Sequence, residues 1–177
     1  MSSEIIIRSL SVNDIQPLLD FEIRNRAYLD ETSPDKPEEF YTIAGQELRI
    51  ERVLVSKMHD LGYSYGVFKG KELIGTVDLF QVERGAIQSA WLGYCIDYKY
   101  QGCGYATEAV KRMIDFAFYD LRLHRVEASA MPRNEASIRV LEKAGFHREG
   151  LSQKNVKIQG EWEDHYLYAV INTDPEI

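Results

Sequence analysis

Cysteine is scarce in this chain, with two residues, Cys95 and Cys103, among 177. That count excludes a disulfide framework. Positive charge is in deficit as well: 21 Lys and Arg stand against 28 Asp and Glu, a formal net charge of −7. A chain this acidic is not expected to grip nucleic acid through a broad basic surface. No run approaches the ~18 apolar residues that span a bilayer. The opening Met1–Arg8 stretch has neither the basic segment nor the apolar core of a secretory leader. The four histidines do not fall at metal-ligand spacing, so no metal site is expected. What is there is 45% apolar and 11% aromatic, which suffices for a buried core. The expectation is a soluble, cytoplasmic protein with one domain over 1–177 and no nucleic-acid or membrane partner. A homodimer is left open.

The hydrophobic period changes along the chain without any repeat or low-complexity tract. Glu4–Leu10 predicts an opening strand. Ser11 and Asp14 form the ends of a capping box that starts a helix running to about Arg26, with Pro17 close enough to its start to be tolerated. Two prolines make 32–37 a loop. Ile43, Ile50, Leu54, Met58 and Leu61 share one helical face and predict a long helix over 38–61, stopped by Gly62. Strands follow at 64–69 and 73–81, joined through Gly70-Lys71 as a hairpin, and at 88–97. Gly93 inside the third of these marks a bulge or a close backbone approach. Helical spacing returns at Ala106, Val110, Met113, Ala117 and Leu121. A strand at 125–130, a helix at 137–144 and a hairpin of 156–158 with 162–171 complete the order β-α-α-β-β-β-α-β-α-β-β. Strand, helix and strand over 88–130 imply one parallel pair in a mostly antiparallel sheet.

The most informative stretch joins the third strand of that group to the helix after it: Tyr100-Gln-Gly-Cys-Gly-Tyr-Ala-Thr107. Glycines let a backbone turn tightly there, and the free N–H groups of a helix N-terminus attract phosphate. A P-loop is excluded, because Gly-x-x-x-x-Gly-Lys-Ser/Thr is absent, and a dinucleotide fingerprint fails because Thr stands at 107.

Gln101-x-x-Gly104-x-Ala106 resembles the Gln/Arg-x-x-Gly-x-Gly/Ala pyrophosphate loop of the GNAT acetyltransferase superfamily. The longer run Leu92-Gly-Tyr followed by Gln101-Gly-Cys-Gly-Tyr-Ala-Thr-Glu-Ala109 is similar to the ribosomal-protein-alanine N-acetyltransferase branch. Asn134-x-x-Ser137 followed by Glu142-Lys-Ala-Gly-Phe146 matches the second signature of that family. The resemblance covers about residues 90–150. It implies an α/β GNAT fold: a mostly antiparallel sheet, splayed at its one parallel pair, with flanking helices. It also implies acetyl-CoA as co-substrate, with its pantetheine arm on the strand backbone of Tyr94, Cys95, Ile96 and Asp97. The pyrophosphate would lie on Gly102, Cys103, Gly104, Tyr105 and Ala106, flanked by Gln101 and Thr107. Asn134 and Ser137 would complete the cofactor contacts.

Acyl transfer needs an unprotonated amine, a stabilised oxyanion and a protonated leaving thiolate. Asn134, Ser137 and Leu141 share one face of their helix. Many relatives carry a tyrosine acid where this chain has Leu141; in the branch it resembles, the resemblance implies Ser137 as the proton donor. The base is unassigned: relatives place a glutamate where this chain has Ser129, and the candidates here are Glu127, which reads first as a solvated strand carboxylate, and His165. Cys103 could serve a covalent route, but direct transfer needs no nucleophile. Trp91, Tyr94 and Tyr98 are core or cross-strand aromatics, or else line an amine pocket. The 38–61 helix is packing plus one wall of that pocket, and Arg139 and Lys143, which could reach the CoA phosphates, read first as a solvated helix face.

A site without a strong base suits a weakly basic acceptor. Deprotonating an α-amino group at pH 7 costs ~1.1 kcal/mol, against ~4.6 kcal/mol for a lysine. The expected function is therefore acetyl transfer from acetyl-CoA to a primary amine, foremost a protein N-terminus. The alternatives are an antibiotic or polyamine acetyltransferase and a non-catalytic acyl-CoA sensor.

Overall fold

The computed structural model describes residues 5–174. Seven strands form one sheet in the order β1-β2-β3-β4-β5-β7-β6. They are β1 (Ile5–Ser9), β2 (Gly62–Lys69), β3 (Glu72–Glu83), β4 (Ser89–Ile96), β5 (Arg125–Ala130), β6 (His147–Ile158) and β7 (Glu161–Ile171). The helices are α1 (Ile15–Asp30), α2 (Ile43–Met58), α3 (Tyr105–Asp115) and α4 (Glu135–Lys143). Glu4, the expected first residue of the opening strand, lies outside the described residues. Every neighbouring pair of strands is antiparallel except β4 and β5, the parallel crossover expected from the sequence.

Local chemistry accounts for most boundaries. Asp14 accepts from the Ser11 N–H at 2.8 Å and Ser11 Oγ accepts from the Asn13 N–H at 3.3 Å, so the capping box forms. It opens a short 3-10 turn, and α1 then runs four residues beyond the expected end. The Gly70-Lys71 turn closes β2 onto β3 as expected, with Gly70 at φ +61°. Gly93 marks neither a bulge nor a close approach. Pairing passes through it unbroken opposite Asp78, and the register slips instead between Phe80 and Glu83. The close approach is at Gly75, where a Cβ would stand 2.4 Å from the Cys95 carbonyl oxygen.

Two expectations are corrected. The 38–61 helix is broken at Thr42, whose Oγ1 accepts from the Gly45 N–H at 3.0 Å and restarts the chain as α2 after a 3-10 turn at Glu38–Tyr41. Of its apolar face only Ile50 is buried; Met58 is 73% exposed, and Ile43, Leu54 and Leu61 are also exposed. Crossing helices cover one another where they meet, so the ends of α2 stay in solvent. The strand expected at 156–158 is instead twelve residues long, β6, and mostly exposed. It lies at the sheet edge, where no buried face imposes an alternation for sequence to reveal.

The main core lies between the sheet and α3, with Val110, Met113 and Ala117 buried as their spacing predicts. A smaller apolar cluster, including Leu18, Phe21, Ile50, Phe68 and Leu73, fills the space beneath α1 and α2. Helices thus cover the sheet while β4 and β5 remain the place where it opens.

Candidate active site

Strands β4 and β5 pair only at Ser89–Arg125, Ala90–Val126 and Trp91–Glu127. From Leu92 onward the edge of β4 that faces β5 has no strand partner, and a cleft of about 620 Å³ opens there. Its walls include Leu92–Ile96 of β4, Ala128–Met131 after the divergence, the start of α3, and one face of α4. Unpaired strand backbone is an acceptor and donor ladder for an extended, amide-bearing ligand.

At one end the chain turns into α3. Gly102 has φ +72° and Gly104, the residue before the helix, +84°, so both occupy the left-handed region that glycine enters without strain. The N–H groups of Gly102, Gly104, Ala106 and Thr107 are left without a protein acceptor among the described residues. Those donors at the positive end of α3 fit a pyrophosphate. Arg139 and Lys143 are exposed, as a solvated helix face requires, and also line the same cleft. They add positive charge beside it, although Arg139 also contacts Glu135 at 3.2 Å.

Of the expected cofactor residues, Tyr94, Cys95, Ile96, Gln101, Gly102, Gly104, Tyr105, Ala106, Thr107, Asn134 and Ser137 all line the cleft. Cys103 is exposed and Asp97 is buried, and neither is among the lining residues. The Asp97 carboxylate takes the Arg24 Nε–H at 2.5 Å and the Lys99 N–H at 3.0 Å. Burial raises its affinity for a proton, but these donors outweigh burial and hold it below the usual carboxylate value. The Asp97 side chain therefore anchors the turn before the glycine loop, and its backbone N–H donates to the Ile74 carbonyl at 2.8 Å. Asn25 assists: its Oδ1 accepts from the Tyr98 N–H at 3.1 Å.

Asn134 caps α4, its Oδ1 accepting from the Ser137 N–H at 3.1 Å. Its amide NH2 has no protein partner among the described residues and remains able to donate. Ser137 Oγ lies 2.8 Å from the Tyr94 hydroxyl. Leu141 is fully buried in the core, so the position that carries an acid in other relatives is packing here.

Of the two candidate bases, Glu127 pairs with Arg125 at 3.0 Å and does not line the cleft, whereas His165 does; so does Ser129, which takes the place of the expected glutamate. His165 is 6% exposed, with Nδ1 3.3 Å from the Glu163 carbonyl oxygen. Donation from Nδ1 to that carbonyl leaves the Nε2 lone pair to accept a proton. Trp91 and Tyr98 are not cleft residues. Tyr28, Leu29, Thr32 and Ser33, from the end of α1 and the loop after it, form a wall that no sequence motif pointed to. That loop is tied across the opening: Asp35 accepts from the Gln159 N–H at 3.0 Å, and Arg133 reaches both the Glu31 carbonyl at 3.3 Å and Glu163 at 2.9 Å.

The profile of the Acetyltransferase (GNAT) domain matches residues 4–147. This chain belongs to the GNAT acetyltransferases. It is 46% identical over 174 residues to a Bacillus subtilis protein named "Probable N-acetyltransferase YjcK", covering 97% of this chain and 96% of that one. An Escherichia coli relative, named as the alanine N-acetyltransferase of ribosomal protein uS5, is 30% identical over 177 residues, 98% of this chain and 90% of the relative. Among solved structures, the ribosomal-protein-S5-alanine acetyltransferase of Vibrio fischeri superimposes with a TM-score of 0.93 at 33% identity, covering 96% and 94% of the two chains. Mycobacterium smegmatis RimJ, solved with a CoA disulfide, gives 0.92 at 24% identity, covering 98% and 84%. The chain is thus an acyltransferase, an N-acetyltransferase of GNAT type.

Proposed function

We propose that this N-acetyltransferase carries acetyl from acetyl-CoA to a protein N-terminal α-amino group by direct attack. The observation that carries the reading is the composition of the cleft. Among the described residues none of its lining side chains is Asp or Glu, while Arg139, Lys143 and His165 are present. A polyamine carries further positive charges that carboxylates would have to balance; a neutral or singly cationic N-terminus makes no such demand. The relatives named for ribosomal alanine N-termini point the same way.

In this reading the unpaired edge of β4 orients the pantetheine arm, and the donors of Gly102, Gly104, Ala106 and Thr107 hold the pyrophosphate. His165 Nε2 accepts the proton that the acceptor amine gives up. Ser137 donates a proton to the sulfur as the C–S bond breaks and its electron pair passes to sulfur. The modest cost of deprotonating an α-amine, ~1.1 kcal/mol at pH 7, matches a single imidazole in place of a strong base.

The test is thiol release from acetyl-CoA with a panel of acceptors. N-terminal Ala and Ser peptides should exceed lysine side chains and spermidine in kcat/KM by at least about tenfold, and His165→Gln should lower kcat/KM for those peptides with acetyl-CoA affinity retained. Equal rates for spermidine would refute the N-terminal assignment, and the absence of turnover with every amine would favour a sensor.

A further inference from the structure

We propose that Tyr94 is the positioning residue for the Ser137 proton donor, an inference that rests on the serine's role in the reading above. Tyr94 stands on β4 and Ser137 in the first turn of α4, so the pair joins the two sides of the cleft. The Tyr94 hydroxyl is 2.8 Å from Ser137 Oγ and 3.3 Å from the Ser137 carbonyl oxygen. Two hydrogen arrangements are open to this triangle, and they have opposite consequences. If the phenol donates to the carbonyl, the serine hydrogen must point at the phenol oxygen and cannot reach sulfur. If the phenol donates to Oγ, the serine hydrogen turns away from it, toward the cleft.

Two observations favour the second arrangement. The contact to Oγ is the shorter one, at a normal distance for O–H···O, while 3.3 Å is long. The Ser137 carbonyl lies inside α4, where helix geometry already supplies it with the N–H of residue 141. Burial pushes the Tyr94 phenol up to about 12, so it keeps a hydrogen to donate at neutral pH in either arrangement. The serine backbone is fixed independently, its N–H held by the Asn134 cap. Backbone and hydroxyl are then both set before substrate arrives, the preorganisation that lets a weak acid serve.

The proton balance is closed. The acceptor nitrogen adds to the thioester carbon, the C–S bond breaks, and the Ser137 hydrogen goes to sulfur. The proton that the amine gives up is taken by His165 Nε2 and lost from there to solvent, and solvent returns one proton to Ser137, so both side chains end as they began. Tyr94 keeps its own proton throughout and touches no reacting atom.

A double-mutant cycle tests the inference on the intact enzyme with acetyl-CoA and its best peptide acceptor. Tyr94→Phe keeps the ring and should lower kcat about tenfold, the scale of one lost hydrogen bond, with KM for acetyl-CoA within about twofold of the parent. Ser137→Ala should lower kcat about a hundredfold. The double variant should match Ser137→Ala alone, because the phenol acts only through the serine. Tyr94→Met repeats the cycle if the phenylalanine variant melts early. A further tenfold loss in the double variant, or a raised KM with kcat intact, overturns the positioning role and makes Tyr94 part of the cofactor wall. A Ser137→Ala enzyme with parental kcat instead overturns the proton-donor reading beneath it, whatever Tyr94→Phe does.

Discussion

Gly104 combines two demands at one position. Its φ of +84° lies where a side chain is strained, yet a Cβ would meet nothing within 4 Å. Space is therefore not the constraint; backbone conformation is, and so, in the function proposed above, is the pyrophosphate. Gly104→Ala should cost about 1–2 kcal/mol through the left-handed backbone and leave measurable CoA binding. Gly104→Glu adds a carboxylate beside the donors of Gly102, Ala106 and Thr107 and should abolish binding in calorimetry. Unchanged affinity in the glutamate variant would remove the pyrophosphate from this loop. The loop itself was legible, because glycine spacing at a strand–helix junction is local information. The separate fates of its neighbours were not: Cys103 faces solvent and Asp97 binds Arg24, contacts set by residues more than seventy positions away in the Asp97 case.

At the scale of elements, α4 is nine residues long and starts on one side-chain cap. Asn134→Ala removes the acceptor for the Ser137 N–H and should destabilise the protein by about 1 kcal/mol, about 2–4 °C in melting temperature. The same change loosens Ser137, so kcat should fall by a larger factor than stability alone explains. Calorimetric melting beside steady-state kinetics measures both, and a parental kcat would show that the cap is structural only. Strong period marked α3 and the central strands. It misled for α2, whose expected apolar face is exposed at every position but Ile50, and failed for β6, an edge strand with no buried face to announce. The divergence of β4 from β5 after Trp91 left no trace in either strand's sequence, since splay is a relation between strands.

Across the whole molecule, acid stability depends on a few paired carboxylates. The Arg8 hydrogen bonds hold the buried Asp14 below the usual carboxylate value, against the opposing effect of burial. A depressed folded value means the contribution is complete above the unfolded value near ~3.9 and is lost as pH falls through the lower folded one. Asp14→Asn should therefore reduce unfolding stability by about 1–3 kcal/mol between pH 5 and 8, with the gap closing below about pH 4. Urea melts across that range measure it, and a gap that persists at pH 2 would contradict the linkage. Net charge behaves differently at this scale: the chain carries −7, yet the cleft has cationic and neutral lining, so composition describes the outside and not the site.

The sequence alone determined the order of elements, the parallel crossover, the glycine turn before α3 and the family, because each is written in residues close together along the chain. Tertiary structure decided what those residues face. It brought the loop after α1 over the cleft and tied it to the β6–β7 turn. It also sent Leu141 into the core, set Glu127 aside in an ion pair, turned His165 inward, and placed the Tyr94 phenol 2.8 Å from Ser137. Apart from the Glu127 ion pair with its near neighbour Arg125, these outcomes depend on packing between segments distant along the chain, where neither spacing nor periodicity carries a signal.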